Sequence, residues 1–545
     1  MKQWRIQPPY PAEDVAQTHE ADVVVVGLSH SGSAAMRAAA EAGARTIGIE
    51  ERTQQKYRVV GMDYGHLNSR FLESRGVPKV DPIDYYNELM RRALGRANPG
   101  LLMRFCRNAG TAFDWYTDMV EDFSTVKTPF WPGSPKFDGE MSGFHFWPGT
   151  AQFGQPGSLW GPGLAELGDE MTLDALVEEV KKKPSLMGLA RANQKKAIDL
   201  GGQTFFGMTA ENITQEEGRV TGILARDQDL RLHLFRAKKA VILAAGGFSG
   251  DVDMLEDLLP DYRNIFCGEE TFQTGMMGTG MGIRLGVWAG GRLEAGPIAT
   301  MDGFYNTPRG VNAIHGLLWL DPCGKRFTNE CFGDPVIAGM PGNQMKRGDY
   351  MNIFDSGILR DLEWAVPAHE GFDYGDENHR SILKNGMEQA IKAGKGGATV
   401  RTLHHRERIV AGSNMEELLD NAELTGSLRE NVKNSILRYN ELCRMGRDED
   451  FGKDAKLLRP LEEWPLFLQF NPFTDVGRMM CTCGGLLTDE TQNVLGREYD
   501  PIPGLYATGN CCGRRFGPQY STPTAGLSIG MAVTLGREAG REAAK

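Results

Sequence analysis

An α/β fold with a parallel sheet is what this sequence predicts, and three observations carry the expectation. The run Ala21-Asp22-Val23-Val24-Val25-Val26 breaks at Gly27, a helix of small residues occupies Ser31 to Ala40, and Ile47-Gly48-Ile49-Glu50 reads as a second strand. The same change from apolar strand to glycine recurs at Ala240-Val241-Ile242-Leu243-Ala244-Ala245-Gly246-Gly247 and at Leu505-Tyr506-Ala507-Thr508-Gly509. Finally, 68 glycines, many of them at strand ends, stand in a chain that is 41% hydrophobic. That combination suits a folded protein whose backbone approaches a large ligand, and it argues against disorder.

The first element follows from its valines, because a β-branched run makes a poor surface helix and a good buried strand. Gly27 permits the turn, and Gly32 lets the helix lie close on the sheet, with its N-terminal amides and dipole facing a pyrophosphate. Ser29 stands where a second glycine is usual, which is tolerated if the phosphate sits slightly further out. Glu50 closes the second strand about 20 residues after the turn, where an acid accepts the hydrogen bonds of a ribose. The unit reads as a site for FAD or NAD.

Residues 58–70, with Gly61, Asp63, Gly65 and His66, read as a loop, and 84–119 as helical by period, with Tyr85, Leu89 and Met90 on one stripe. Residues 128–163 dissolve into Pro, Gly and aromatics, among them Phe130-Trp131-Pro132-Gly133 and Leu159-Trp160-Gly161-Pro162-Gly163. Ordered loops of this length commonly carry function; a flap over the active site is expected, with a structural insertion or a subunit contact as the equal alternative. Residues 164–201 read as mostly helical and Val220–Ala225 as a strand in a small hairpin layer. Beyond them come a glycine turn at Gly278–Gly282, a strand at Leu317–Leu320, and helices at Met415–Asn421 and Leu428–Leu442. Three strand–glycine bends cannot be three dinucleotide domains, since each lacks its own βαβ unit. They read as three walls of one site.

A chain of 545 residues is long enough for two to four domains. The net charge of −11, without a basic block, excludes nucleic acid as an expected partner. No secretion signal is read in residues 1–17 and no apolar run reaches about 18 residues, so no membrane span and a cytoplasmic location are expected. Nine cysteines without a C-x-x-C pair point to a reducing compartment. Cys481, Cys483, Cys511 and Cys512 read either as a cluster or metal site, or as small packing residues beside a cofactor.

Taken in order, the N-terminal turn, Ala244 to Phe248, Gly278-Thr279-Gly280-Met281-Gly282, Gly324-Lys325-Arg326-Phe327-Thr328-Asn329-Glu330, Gly484-Gly485-Leu486 and Pro503 to Asn510 form a distinctive series. In it the chain resembles the flavoprotein subunits of the FAD-dependent fumarate reductase and succinate dehydrogenase superfamily, and most nearly its 3-ketosteroid dehydrogenase-like branch. The resemblance implies FAD, held by a Rossmann-like FAD-binding domain with an inserted α+β capping domain for substrate. Residues 1–268 would be the first part of the FAD domain, 269–468 the cap and 469–545 the C-terminal part of the FAD domain. It implies cofactor contacts at Gly27, Ser29, Ser31, Gly32, Glu50, Glu51, Gly61, Met62, Asp63, Ala245, Gly246, Gly247, Gly509, Asn510, Leu527 and Ser528. No metal ligand is expected.

The resemblance also shows what is missing. Fumarate reductases place a proton-donating arginine shortly after the Arg-Phe-x-Asn-Glu motif, where this chain reads Cys331-Phe332-Gly333-Asp334-Pro335. The carboxylate-binding histidine before the later Gly-Gly is replaced within Met479-Met480-Cys481-Thr482-Cys483, and Tyr520 stands where a second binding arginine belongs. Each lost charge-assisted bond is worth roughly 1.5–3 kcal/mol, so a small dicarboxylate is a poor candidate substrate. Tyr520-Ser521-Thr522-Pro523 instead has the tyrosine-to-proline spacing of the ketosteroid branch, which makes Tyr520 the expected acid or carbonyl-polarising donor, with a buried structural tyrosine as the alternative. Tyr305 and His315 are further catalytic candidates, and Arg514 and Arg515 are candidates for meeting an anion. The expected activity is reduction or desaturation of a C–C bond next to a carbonyl in a bulky, largely neutral substrate such as a ketosteroid or aromatic enone, with electrons exchanged through a separate donor or acceptor. The alternatives are a reductase of an unsaturated carboxylate, with Arg514, Arg515 or Arg309 as a relocated clamp, and a non-catalytic electron relay.

Overall fold

The computed structural model describes residues 2–10, 12–59, 61, 63–126, 140–141, 144–145, 150–152, 172–259, 278–301, 318–330, 350–361, 377–401, 406–471, 481–524 and 526–545. At its centre Val15–Val26 (β1) pairs in parallel with Thr46–Glu50 (β2) on one side and with Leu232–Leu243 on the other. The parallel set extends to Gln203–Phe206 beyond β2 and to Pro501–Ala507 beyond the 232–243 strand. Strands from the two ends of the chain therefore share one sheet. The valines of β1 are divided between its faces. Val23 and Val25 pack with the helix His30–Glu41 (α1), whereas Val24 and Val26 enter the large core on the opposite face. Burial on both faces is why the strand reads as an unbroken apolar run.

The helix Leu527–Ala543 covers α1 at close range, since a side chain at Gly536 or Gly540 would overlap the carbonyl oxygens of Ser31 and Ala35. The strand expected at 220–225 spans Arg219–Arg226 and belongs to the main sheet, joining 209–216 to the 232–243 strand in antiparallel fashion. The helical stretch expected over 84–119 is two helices, Pro82–Arg92 and Pro99–Tyr116. Asn98 ends the gap between them by accepting from the amides of Gly100 and Leu101, with Pro99 in the first helical turn, where a missing N–H costs nothing. Residues 58–70 are not wholly loop. Asp63–Gly65 forms a short strand with Thr150–Gln152, a piece of the expected flap; most of that flap lies outside the described residues.

A second, antiparallel sheet of five strands is built from residues 318–471 in the order 318–320, 350–355, 466–471, 406–412, 398–401. It has its own apolar clusters, one including Trp319, Phe354 and Phe467 and the other Val432, Ile436 and Tyr439. Beside it, buried Arg326 pairs with both Glu330 and Asp448, and Lys453 approaches Glu330 at 3.3 Å. Within the stretch expected as the cap, the helix Met281–Trp288 packs instead with the core of the first sheet, through Leu285. No helix among the described residues is long and apolar enough to cross a membrane.

Candidate cofactor and active site

Three glycine bends meet at the carboxyl ends of the parallel strands. Gly27 leaves β1 at φ +92°, and a Cβ there would come 2.7 Å from the Ala244 oxygen and 2.8 Å from Ala245 Cα, so the first bend lies directly on the second. A side chain at Gly32 would overlap the Gly27 carbonyl. Gly509 leaves the 501–507 strand at φ +60°, and a Cβ there would overlap Ser31 Oγ, which brings the third bend onto the first turn of α1. Gly247 abuts Thr482, whose hydroxyl accepts from the Phe248 amide at 2.9 Å. In front of Gly246 nothing among the described residues lies within 4 Å of the Cβ position.

Ser29 is the N-cap of α1, and its side chain makes no capping bond. Glu50, at the end of β2, folds back to accept from the Leu28 amide at 3.1 Å and the Arg52 amide at 3.2 Å. Burial pushes its pKa above the ordinary carboxylate value. Glu51 is exposed. The 61–65 segment lies against the N-terminus of the 527–543 helix: the Gly65 amide donates to the Gly526 oxygen at 2.8 Å, and Gly61 abuts Ile529. Leu527 and Ser528 form the first turn of that helix, and buried Asp63 lies on its approach. Among the described residues, Thr508 Oγ1 and one terminal guanidinium nitrogen, Nη1, of Arg515 are buried without a hydrogen-bond partner. Helix N-termini for phosphates, an acid at the end of β2 and a glycine-lined space with orphaned polar groups fit a bound dinucleotide.

On one side of this cradle Tyr520 is 1% exposed, edge-on to Phe516, and its oxygen accepts from the Ser528 amide at 3.0 Å. Burial holds its pKa well above the ordinary phenol value. Arg515 is equally buried and donates to the Cys512 oxygen, the Cys483 oxygen and Asn510 Oδ1. Glu294 accepts from the Gly485 and Arg514 amides, and burial pushes its pKa up to about 7.

The four cysteines separate. Cys481 and Cys483 face each other with sulfurs 3.6 Å apart, Cys511 donates to the Gly246 oxygen at 3.1 Å, and Cys512 lies beside Thr488. Among the described residues no group of three or more His, Cys, Asp or Glu side chains is placed to hold a metal. Met62, Tyr305, His315 and Arg309 lie outside the described residues. Sequence reasoning missed Glu294, Thr482 and Thr508. Thr508 adjoins the Gly509 bend, which was the available signal; nothing near Glu294 marks it.

The family model described as FAD binding domain matches residues 22–527. Over 547 residues the chain is 25% identical to the vinyl phenol reductase of Lactiplantibacillus plantarum, covering 96% of each protein. It is 24% identical to the cytochrome-type fumarate reductase of Shewanella frigidimarina over 96% of this chain and 77% of that one. Among solved structures, the 3-ketosteroid-Δ4-(5α)-dehydrogenase of Rhodococcus jostii RHA1 in complex with 4-androstene-3,17-dione superposes with TM-score 0.64 at 20% identity, covering 98% of this chain and 99% of that one.

Proposed function

From the premise that this chain belongs to the FAD binding domain family, we propose that it reduces or desaturates a carbon–carbon bond conjugated to a carbonyl in a bulky, aromatic or steroid-like, largely neutral substrate. The coarser part stands on the family itself: the chain is an FAD-dependent oxidoreductase acting on carbon–carbon bonds. FAD, when bound, supplies the hydride exchange with carbon. The chain's own residues bind the substrate, orient it and handle the proton.

The observation that carries the reading is Tyr520. Its oxygen takes a helix N-terminal amide, and among the described residues the hydroxyl donates to no acceptor, so its proton is available to a substrate carbonyl. The raised pKa keeps it protonated at neutral pH, as a donor in an apolar pocket must be. With Tyr520 where fumarate reductases keep an arginine, and no histidine within residues 479–483 where they keep one, a neutral substrate is favoured on desolvation grounds. The full-length likeness to a vinyl phenol reductase supports an aromatic substrate. Electrons enter or leave through a separate donor or acceptor.

A second reading, reduction of an aryl acrylate, has one observation in its favour, the unpartnered nitrogen of Arg515. Steady-state assays with a viologen donor or a dye acceptor separate the two. Ketosteroids and aromatic enones should exceed aryl acrylates and fumarate in kcat/KM by about 100-fold or more, the equivalent of two lost charge-assisted bonds. A preference for carboxylates overturns the reading.

A further inference from the structure

Cys481 and Cys483 stand apart from the other cysteines of the cradle. Residues two apart on an extended strand project to one face, and here both thiols are buried with sulfurs 3.6 Å apart. The neighbouring 299–301 backbone fixes the segment: residues 481–482 pair with Thr300–Met301, and the Cys483 amide donates to the Ala299 oxygen at 2.7 Å. Thr482, between them, forms part of the cofactor cradle through Gly247 and Phe248. The pair is thus built into a wall of the site that holds FAD.

Its electrostatics differ from those of the neighbouring thiols. The Cys481 thiol and the nearby guanidinium of Arg515 favour a thiolate at Cys483 and hold its pKa below the ordinary value, while Cys481 is pushed up. One proton is shared within a pair whose partner sulfur is already at van der Waals distance. Cys511 and Cys512, although adjacent in sequence, turn to different partners, and burial pushes them up to about 12 and about 11. A thiolate is the form that makes a disulfide. Closing the sulfurs to about 2.05 Å requires a movement of about 1.5 Å, made by χ1 rotation together with a local puckering of the strand that brings the two Cβ atoms to about 4 Å.

We propose that Cys481 and Cys483 are a reversible dithiol–disulfide couple that exchanges two electrons with the enzyme's own FAD. The S–S bond forms as the two thiols give up two protons and two electrons, and oxidised FAD takes up both; the reverse transfer breaks the bond and restores both thiols. No further oxidant or leaving group is needed. The couple rests on the FAD family and on the geometry of the cradle, not on the choice of substrate. It doubles the electrons the holoenzyme stores, from two to four.

The test is anaerobic photoreduction of ferricyanide-oxidised holoenzyme, which delivers electrons through the flavin, with samples denatured and alkylated along the titration. The oxidised protein should protect both cysteines from alkylation, with the peptide two hydrogens lighter. Photoreduction should release both thiols, and full reduction should take four electrons per FAD in the wild type against two in C481S and C483S. A wild-type count of two, thiols fully alkylated after oxidation, or a disulfide that survives complete bleaching of the flavin would each overturn the proposal. Should the variants lose FAD, the wild-type count and peptide map decide alone. Failure here leaves the substrate assays untouched.

Discussion

Replacing Gly509 by alanine tests whether the bends at the two ends of the chain share a site. Gly509 sits at φ +60°, a left-handed conformation costing a non-glycine residue about 1–2 kcal/mol. The new methyl would also overlap Ser31 Oγ and come 3.1 Å from Ser31 Cβ, and overpacking of this kind costs about 1–3 kcal/mol. Gly509→Ala should therefore lose about 2–5 kcal/mol, the sum of the two effects. Ser31→Ala in the same chain removes the overlapping oxygen but not the backbone strain, so the double variant should recover about 1–2 kcal/mol of that loss. Urea titration of the apoprotein followed by circular dichroism, with FAD affinity measured by fluorescence quenching, gives both quantities. Each 1.4 kcal/mol lost from the bound state weakens FAD tenfold. Strict additivity of the two substitutions, within about 0.5 kcal/mol, would refute the contact and with it the convergence of the first and third bends.

Tyr520→Phe should leave FAD bound and lower turnover by about 100-fold or more; unchanged turnover removes the tyrosine from the mechanism. Glu294, raised from 4.5 to about 7 in the fold, binds an extra proton there between those values, so stability falls as pH rises through that window and levels above it. Glu294→Gln should abolish that slope, worth about 3 kcal/mol at most; a wild-type and variant difference that is the same at pH 5 and pH 8 contradicts the assignment. Glu330, held below its usual 4.5 by Lys453 and Arg326, contributes stability that is present above about pH 4.5 and is lost as pH falls through its depressed folded value. Glu330→Ala, which removes the anion shared by Lys453 and Arg326 and leaves Arg326 paired with Asp448 alone, should cost about 3–5 kcal/mol by chemical denaturation, and a loss below about 1 kcal/mol would show the cluster to be solvated.

The glycine bends were legible because each sits where an apolar strand must stop and turn; the backbone approaches at Gly27 and Gly32, and the left-handed turn against the Ser31 side chain at Gly509, are the reason no larger residue stands there. The break between the helices at 82–92 and 99–116 was written in Asn98-Pro99, but the apolar stripe continues across it and period alone hides the stop. Asp63–Gly65 is too short to show an alternation and becomes a strand only by pairing with Thr150–Gln152. Glu294 is an ordinary surface type whose burial arises from loops at Gly485 and Arg514, about 190 and 220 residues away. Tertiary closure of that kind leaves no local trace. The approach of Cys481 to Cys483 was likewise missed, because a C-x-C pair gains meaning only from strand geometry and from Arg515.

The interleaving of distant strands also sets an order of assembly. The 232–243 strand lies in the sheet between β1 and the 501–507 strand, and the 219–226 strand covers only residues 232–236 of its second edge, so during synthesis the 241–243 end of that edge stays open while about 260 further residues are made, a wait of roughly 13–50 s at ordinary elongation rates. The 318–471 sheet has its own apolar clusters and emerges within that interval. A nascent chain of this design carries an exposed parallel edge until its closing strand arrives, and it is in that window that it most needs a chaperone.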